Sequence, residues 1–174
     1  MADQNGRLAG TTTIVTGASR GIGRGIAAQV LAEGGNVVIT ARKQEPLDAA
    51  AAELADQAPG GAAERVLAVA GKADDPTHRD DVIAQTLERF GSLEHLVNNA
   101  GINPVYGPLM DLDLDAARKI TEVNAIGALA WVQAVHRAWM GEHGGRSSTS
   151  PPSPVCALRP ASTSTARPRR CSSR

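Results

Sequence analysis

Aromatic side chains make up only 2% of the 174 residues, with one Tyr, one Phe and two Trp. Any core must therefore be filled by Ala, Val, Leu and Ile, which supply enough apolar volume for one domain. Cysteine is as scarce, with two residues, Cys156 and Cys171. That is too few for a disulfide framework, and a cytoplasmic location is the expectation. No apolar run approaches the ~20 residues of a membrane span, so no membrane partner is expected. The opening MADQNGRLAG has no charged-then-apolar export pattern. His136 stands in HRAWM without a nucleophile or metal-ligand partner, and no metal site is expected.

The net charge of zero conceals a split. Residues 1–145 hold 12 Lys/Arg against 18 Asp/Glu, whereas residues 146–174 hold six Arg and no acid. The second segment also has eight Ser, five Pro, no Gly and no aromatic residue. Such a composition buries too little apolar surface to offset the entropy of ordering, so 146–174 is expected to be a disordered tail. Its arginines have no interleaved aromatics and no accompanying binding fold, so nucleic acid is not an expected partner.

Residues 1–145 alternate strand-like and helix-like patterns. The β-branched run 11–16, then 36–40, 65–69 and 93–98, read as strands. Residues 21–34, 46–57 and 76–90 read as helices with apolar positions near 3.6 spacing, and 112–140 as a long helical stretch broken near Thr121. Alternation of this kind implies an α/β fold with a doubly wound parallel sheet.

Thr16-Gly-Ala-Ser-Arg-Gly-Ile-Gly23 joins the first strand to the first helix. Glycines at 17, 21 and 23 permit a tight turn and close backbone approach to a pyrophosphate, which the free N–H groups of the helix N-terminus would receive. Asn98-Asn-Ala-Gly101 follows the fourth strand, and Val123-Asn-Ala-Ile-Gly127 lies on the long helix. Together these motifs resemble the TGxxxGIG, NNAG and VNxxG segments of the short-chain dehydrogenase/reductase family, over about residues 8–142.

The resemblance implies a Rossmann-type sheet and hydride transfer between a nicotinamide cofactor and a small-molecule carbonyl or alcohol. It implies that Gly17, Ser19, Arg20, Gly21, Ile22 and Gly23 cradle the cofactor phosphates. Asn99, Ala100 and Gly101 would line the adenine-ribose side and brace the sheet, and for Asn99 a purely structural bond to neighbouring strands is an equal reading. Asn124 would help to hold a water of the proton relay. An acid at the end of the second strand would favour NAD, but Thr40-Ala-Arg-Lys43 has none. Arg42 and Arg20 suit a 2′-phosphate, so NADP(H) is expected over NAD(H), with a solvated surface charge as the other reading of Arg42. Lys72 stands where the family often has an acid that contacts adenine.

The family's reaction also needs a serine and a Tyr-x-x-x-Lys pair. The single tyrosine, Tyr106, has Met110 four residues on, and the only lysines are Lys43, Lys72 and Lys119. The chain is thus expected to be catalytically dead, leaving Asn124 vestigial, or else to be a non-catalytic nucleotide-binding fragment. The tail suggests a cause. Read in a neighbouring frame with allowed codons, Ser147 onward can encode Val-Val-Asn-Ile-Ala-Ser, and Thr165 onward Tyr-Gly-Ala-Ser-Lys. The serine-to-tyrosine gap is then thirteen, as the family requires. A frameshift near Gly145 would account for the split in composition, with a natural disordered tail as the other reading. The family's sheet order is 3-2-1-4-5-6-7, so 1–145 would supply only 3-2-1-4, with the fourth strand an open edge. The family assembles through the long helix and the next one, so a homo-oligomeric parent is implied and native assembly of this chain is not.

Overall fold

A computed structural model describes residues 6–58 and 62–149. Strand β1, Thr12–Thr16, is buried at all five positions, as a central strand covered on both faces must be. It leads to helix α1, Gly21–Ala32, then strand β2, Asn36–Ala41, helix α2, Gln44–Gln57, and strand β3, Val66–Ala70. Helix α3, Pro76–Phe90, is the helix most plainly signalled by sequence. The Asp75 carboxylate accepts from the Thr77 N–H at 3.0 Å, proline sits in the first turn, and Gly91 ends the helix at φ +72°. Strand β4, His95–Asn98, completes the expected set.

Side chains alternate across the sheet. Val15, Val37 and Ile39 pack with Ala27, Leu31, Leu47 and Leu54 of α1 and α2 on one face. Ile14, Val38 and Leu96 pack with Val82 and Ile83 of α3 and with Trp131 on the other. Among the described residues Trp131 is the one fully buried aromatic hydrophobic side chain of an otherwise aliphatic core.

The long helical stretch has several parts. Helix α4, Leu114–Thr121, starts at Asp113, whose side chain accepts from the Asp115 N–H. The expected break near Thr121 is a π-helical turn, Glu122–Gly127. Helix α5, Ala128–Val135, follows, then a second π turn, His136–Met140, and a last helical turn α6, Gly141–His143. A π turn inserts a residue and rotates the face that follows, so one helix can serve two surroundings. Leu114, Ile126 and Leu129 are exposed on it.

The sheet is parallel throughout, in the order β3-β2-β1-β4-β5. The last strand, β5, Arg146–Thr149, corrects the expectation that β4 is the edge and that disorder begins at 146. All four β5 residues are exposed. The backbone row of β4 offers partners that need no apolar side chain, and β5 takes them, with His95 opposite Arg146 and Asn98 opposite Thr149. The remaining tail, 150–174, lies outside the described residues. Among the described residues no helix is long and apolar enough to cross a membrane, and no group of three or more His, Cys, Asp or Glu could hold a metal ion.

Candidate functional site

A cleft of about 360 Å³ opens at the C-terminal ends of the parallel strands. Gly17, Ser19 and Arg20 reach it from the β1–α1 loop, and Thr40, Ala41 and Arg42 from the end of β2. The segment from Gly71 to Asp74 after β3 forms a third side, and that from Asn99 to Ile102 after β4 a fourth. Lys119 and Val123 of the long helix close it. Open α/β sheets bind ligands in this position, outside the strands' carboxyl ends. Of the residues singled out by sequence, Gly17, Ser19, Arg20, Arg42, Asn99, Ala100 and Gly101 share this one cleft. Gly21, Ile22, Gly23 and Asn124 do not line it.

The β1–α1 loop is shaped by contact and by torsion. Gly17 has φ +69°, and a Cβ there would fall 2.8 Å from the Ala100 Cα. The Ala18 N–H donates to the Thr40 carbonyl at 2.9 Å, which ties the loop to β2. A Cβ on Gly23 would lie 2.5 Å from the Asn99 side-chain nitrogen. That nitrogen donates to the carbonyls of Thr16 and Gly17, both at 3.0 Å. These two bonds brace the loop, which is the structural one of the two readings of Asn99. Arg20, at the N-cap of α1, makes no side-chain cap, and the first turn has no acid. The leading N–H groups of α1 thus keep their capacity for an anion. Ile22 is exposed on that turn.

Thr16 was not among the residues singled out, yet its hydroxyl organises the loop opposite. The hydroxyl oxygen accepts from the N–H groups of Asn99 and Ala100, both at 3.0 Å. Only the motif's opening threonine hinted at this. Asn124 sits in the first π turn and clasps Ile102 at both backbone groups. Its oxygen accepts from the Ile102 N–H at 2.8 Å, and its nitrogen donates to the Ile102 carbonyl at 2.9 Å. Tyr106 is exposed, outside the cleft.

The wall after β3 is held at successive residues. The Gly71 N–H donates to the Ala41 carbonyl at 2.9 Å, and the Asp75 N–H to the Lys72 carbonyl at 3.1 Å. The Trp131 indole N–H donates to the Ala73 carbonyl at 2.9 Å. Lys119 meets the Asp74 carboxylate at 2.6 Å. That bond holds the Asp74 carboxyl below its ordinary range against the opposing effect of burial, with a lesser contribution from the Lys72 charge. Beneath the wall the buried His78 ring occupies the space a Gly71 Cβ would need, with ring atoms from 2.2 Å.

Burial pushes the His78 pKa down, although Asp75 and Asp81 pull it up. A base whose folded pKa is lowered contributes stability above its unfolded value, about 6.5. That contribution is lost as pH falls through the unfolded value and on toward the lowered folded one. The melting temperature is expected to fall between pH 7 and 5.5, and His78→Phe to flatten that part of the profile. A profile unchanged by the substitution would refute the assignment.

Residues 11–147 match the family described as short chain dehydrogenase. The chain is 37% identical over 128 residues to dehydrogenase/reductase SDR family member 4 of Oryctolagus cuniculus, covering 74% of this chain and 47% of that protein. It is 36% identical over 140 residues to the L-rhamnose 1-dehydrogenase (NAD(P)(+)) of Sphingomonas sp. strain SKA58, covering 79% and 53%. A solved structure of a short chain dehydrogenase from Burkholderia cenocepacia J2315, in complex with NADP, superposes with a TM-score of 0.70 at 36% identity, over 82% of this chain and 56% of that one. The chain thus spans about half the length of the curated relatives it matches. With its glycine loop, its Asn98-Asn-Ala-Gly101 turn and its parallel sheet, the chain belongs to the short-chain dehydrogenase family.

Proposed function

We propose that this chain is the NADP(H)-binding half of an oxidoreductase acting on a small carbonyl or alcohol, and that in its present form it does not turn over. The carrying observation is the uncapped N-terminus of α1, set beside a glycine loop at the mouth of the strand-end cleft. Gly17, Ser19, Arg20, Gly21, Ile22 and Gly23 would hold the diphosphate, with the α1 amides as donors. Arg20 and Arg42 would take a 2′-phosphate, and the absence of an acid at Thr40 and Ala41 fits that choice. Asn99, Ala100 and Gly101 would border the adenosine. The relatives described with NADP or NAD(P)(+) support the same assignment. When bound, the cofactor supplies or accepts the hydride.

A proton donor is what this chain lacks. The sequence holds no Tyr-x-x-x-Lys, and Asn124 is committed to the Ile102 backbone. An out-of-frame tail from residue 146 accounts for that lack. In support, β5 lies where a buried apolar strand belongs, yet its residues Arg-Ser-Ser-Thr are polar and exposed. Ile126 and Leu129, exposed on the long helix, fit assembly of a homo-oligomeric parent through that helix. A cytoplasmic location remains part of the proposal.

Two measurements on the full chain test this reading. NADPH at about 100 times its Kd should stabilise the fold by ~2.7 kcal/mol, raising the melting temperature, while NADPH absorbance stays constant with a generic ketone. No affinity at millimolar NADPH or NADH would defeat the cofactor assignment, and sustained oxidation would defeat the inactivity. Sequencing the coding DNA decides the tail, because an uninterrupted frame encoding it in related strains would end the frameshift reading.

A further inference from the structure

The cleft holds more positive charge than a diphosphate consumes. Lys119 is paired with Asp74, the one carboxylate among the lining residues. Arg20, Arg42 and Lys72 also line the cleft, and among the described residues none of them makes a salt bridge. They follow three consecutive strands, with Arg20 after β1, Arg42 after β2 and Lys72 after β3. Neighbouring strands lie about 4.8 Å apart, so the loops that carry the three cations form a row along the sheet's carboxyl edge. The N-terminal amides of α1 lie at the β1 end of this row. A diphosphate seated on them leaves the β2 and β3 end with unmatched cations.

Lys72 is also well placed to discriminate. Its carbonyl accepts from the Asp75 N–H, and its neighbours are fixed by the bonds from Gly71 to Ala41 and from Trp131 to Ala73. The backbone of the wall is therefore set, while the ammonium has no salt-bridge partner among the described residues. A strongly hydrated point charge of this kind attracts a phosphate dianion far more than a ribose hydroxyl.

We propose that Lys72 is a specificity-determining residue, the third cation of a row with Arg20 and Arg42 that selects a dinucleotide bearing a phosphomonoester on its adenosine ribose over one without it. The proposal rests on the dinucleotide reading above. It makes a selector of Lys72, which stands where the family often has an acid.

The test is direct titration of the full chain and of Lys72→Ala and Lys72→Arg with NADPH, NADH and adenosine 2′,5′-bisphosphate. For Lys72→Ala, affinity for NADPH and the bisphosphate should fall about five- to tenfold, as for loss of one charge-assisted contact. NADH affinity should stay the same, and Lys72→Arg should restore most of the loss. A purely structural role would weaken all three ligands together, and that result overturns the proposal. So does an unchanged preference for NADPH over NADH in Lys72→Ala. In both cases the cofactor assignment survives. If the unaltered chain binds none of the three, the dinucleotide reading itself falls and the proposal with it.

Discussion

Trp131→Ala is expected to cost about 3–5 kcal/mol of stability, the usual range for removing a large buried aromatic. Trp131 is 1% exposed and is the largest side chain in the cluster formed by Ile14, Val38, Val82 and Leu96. The side chains around it relax only partly into the space an indole leaves, so a cavity remains. The loss also cuts the bond to the Ala73 carbonyl, so the cleft wall should loosen together with the core. Thermal denaturation should show a fall of roughly 10 °C or more for a domain of this size. Trp131→Phe separates the two contributions. It keeps most of the volume and forfeits the N–H donor, so the melting temperature should fall modestly while nucleotide affinity drops by more than the stability change explains. If Trp131→Ala melts within a few degrees of the unaltered chain, the indole does not hold the core and the cleft wall together.

Gly17→Ala is expected to lower NADPH affinity more than about tenfold, beyond the ~1–2 kcal/mol per residue that a left-handed backbone alone costs a residue with a Cβ. The added methyl would meet the Ala100 Cα at 2.8 Å. Both atoms belong to turns fixed by hydrogen bonds, through Thr16 on one side and Thr40 on the other. No rotamer change relieves the overlap, so the loop must move away from the position that receives the diphosphate. Gly21→Ala provides the comparison. Gly21 also has positive φ, +60°, but open space surrounds its Cβ position. Only the torsional cost applies there, and the affinity loss should be smaller. Equal losses at the two positions would show that torsion, rather than the contact with Ala100, shapes the loop.

Much of this was legible in sequence, for local reasons. The α3 boundaries follow from Asp75, Pro76 and Gly91, whose preferences act within one turn of chain. The parallel sheet follows from strand–helix alternation, and the order of β3, β2, β1 and β4 was implied by the family resemblance that the loop starting at Thr16 helps to carry. The gathering of Gly17, Arg20, Arg42 and Asn99 at one cleft follows from the parallel sheet, which brings the strands' carboxyl ends to a single side. What sequence did not reveal depends on contacts between distant residues. Lys119 and Asp74 are 45 positions apart, and Trp131 and Ala73 are 58 apart, with no spacing rule to connect them. His78 reads as one more polar residue on an amphipathic helix until Gly71 is seen to rest on its ring. Strand β5 was hidden for a different reason. Its side chains carry no apolar pattern, and only the free edge of β4 gives its backbone a place.

That last strand has a bearing on the lifetime of the native edge. With none of its four side chains buried, β5 is joined to the body by ladder bonds alone and buries almost no apolar surface. Opening it is a local event of low free energy, far below global unfolding. Each opening bares the amide and carbonyl row of β4, with Leu96 and Val97 in it, to any extended chain nearby. Any intermolecular pairing at this edge is therefore expected to be set by how often these four residues detach, rather than by how firmly the central sheet holds.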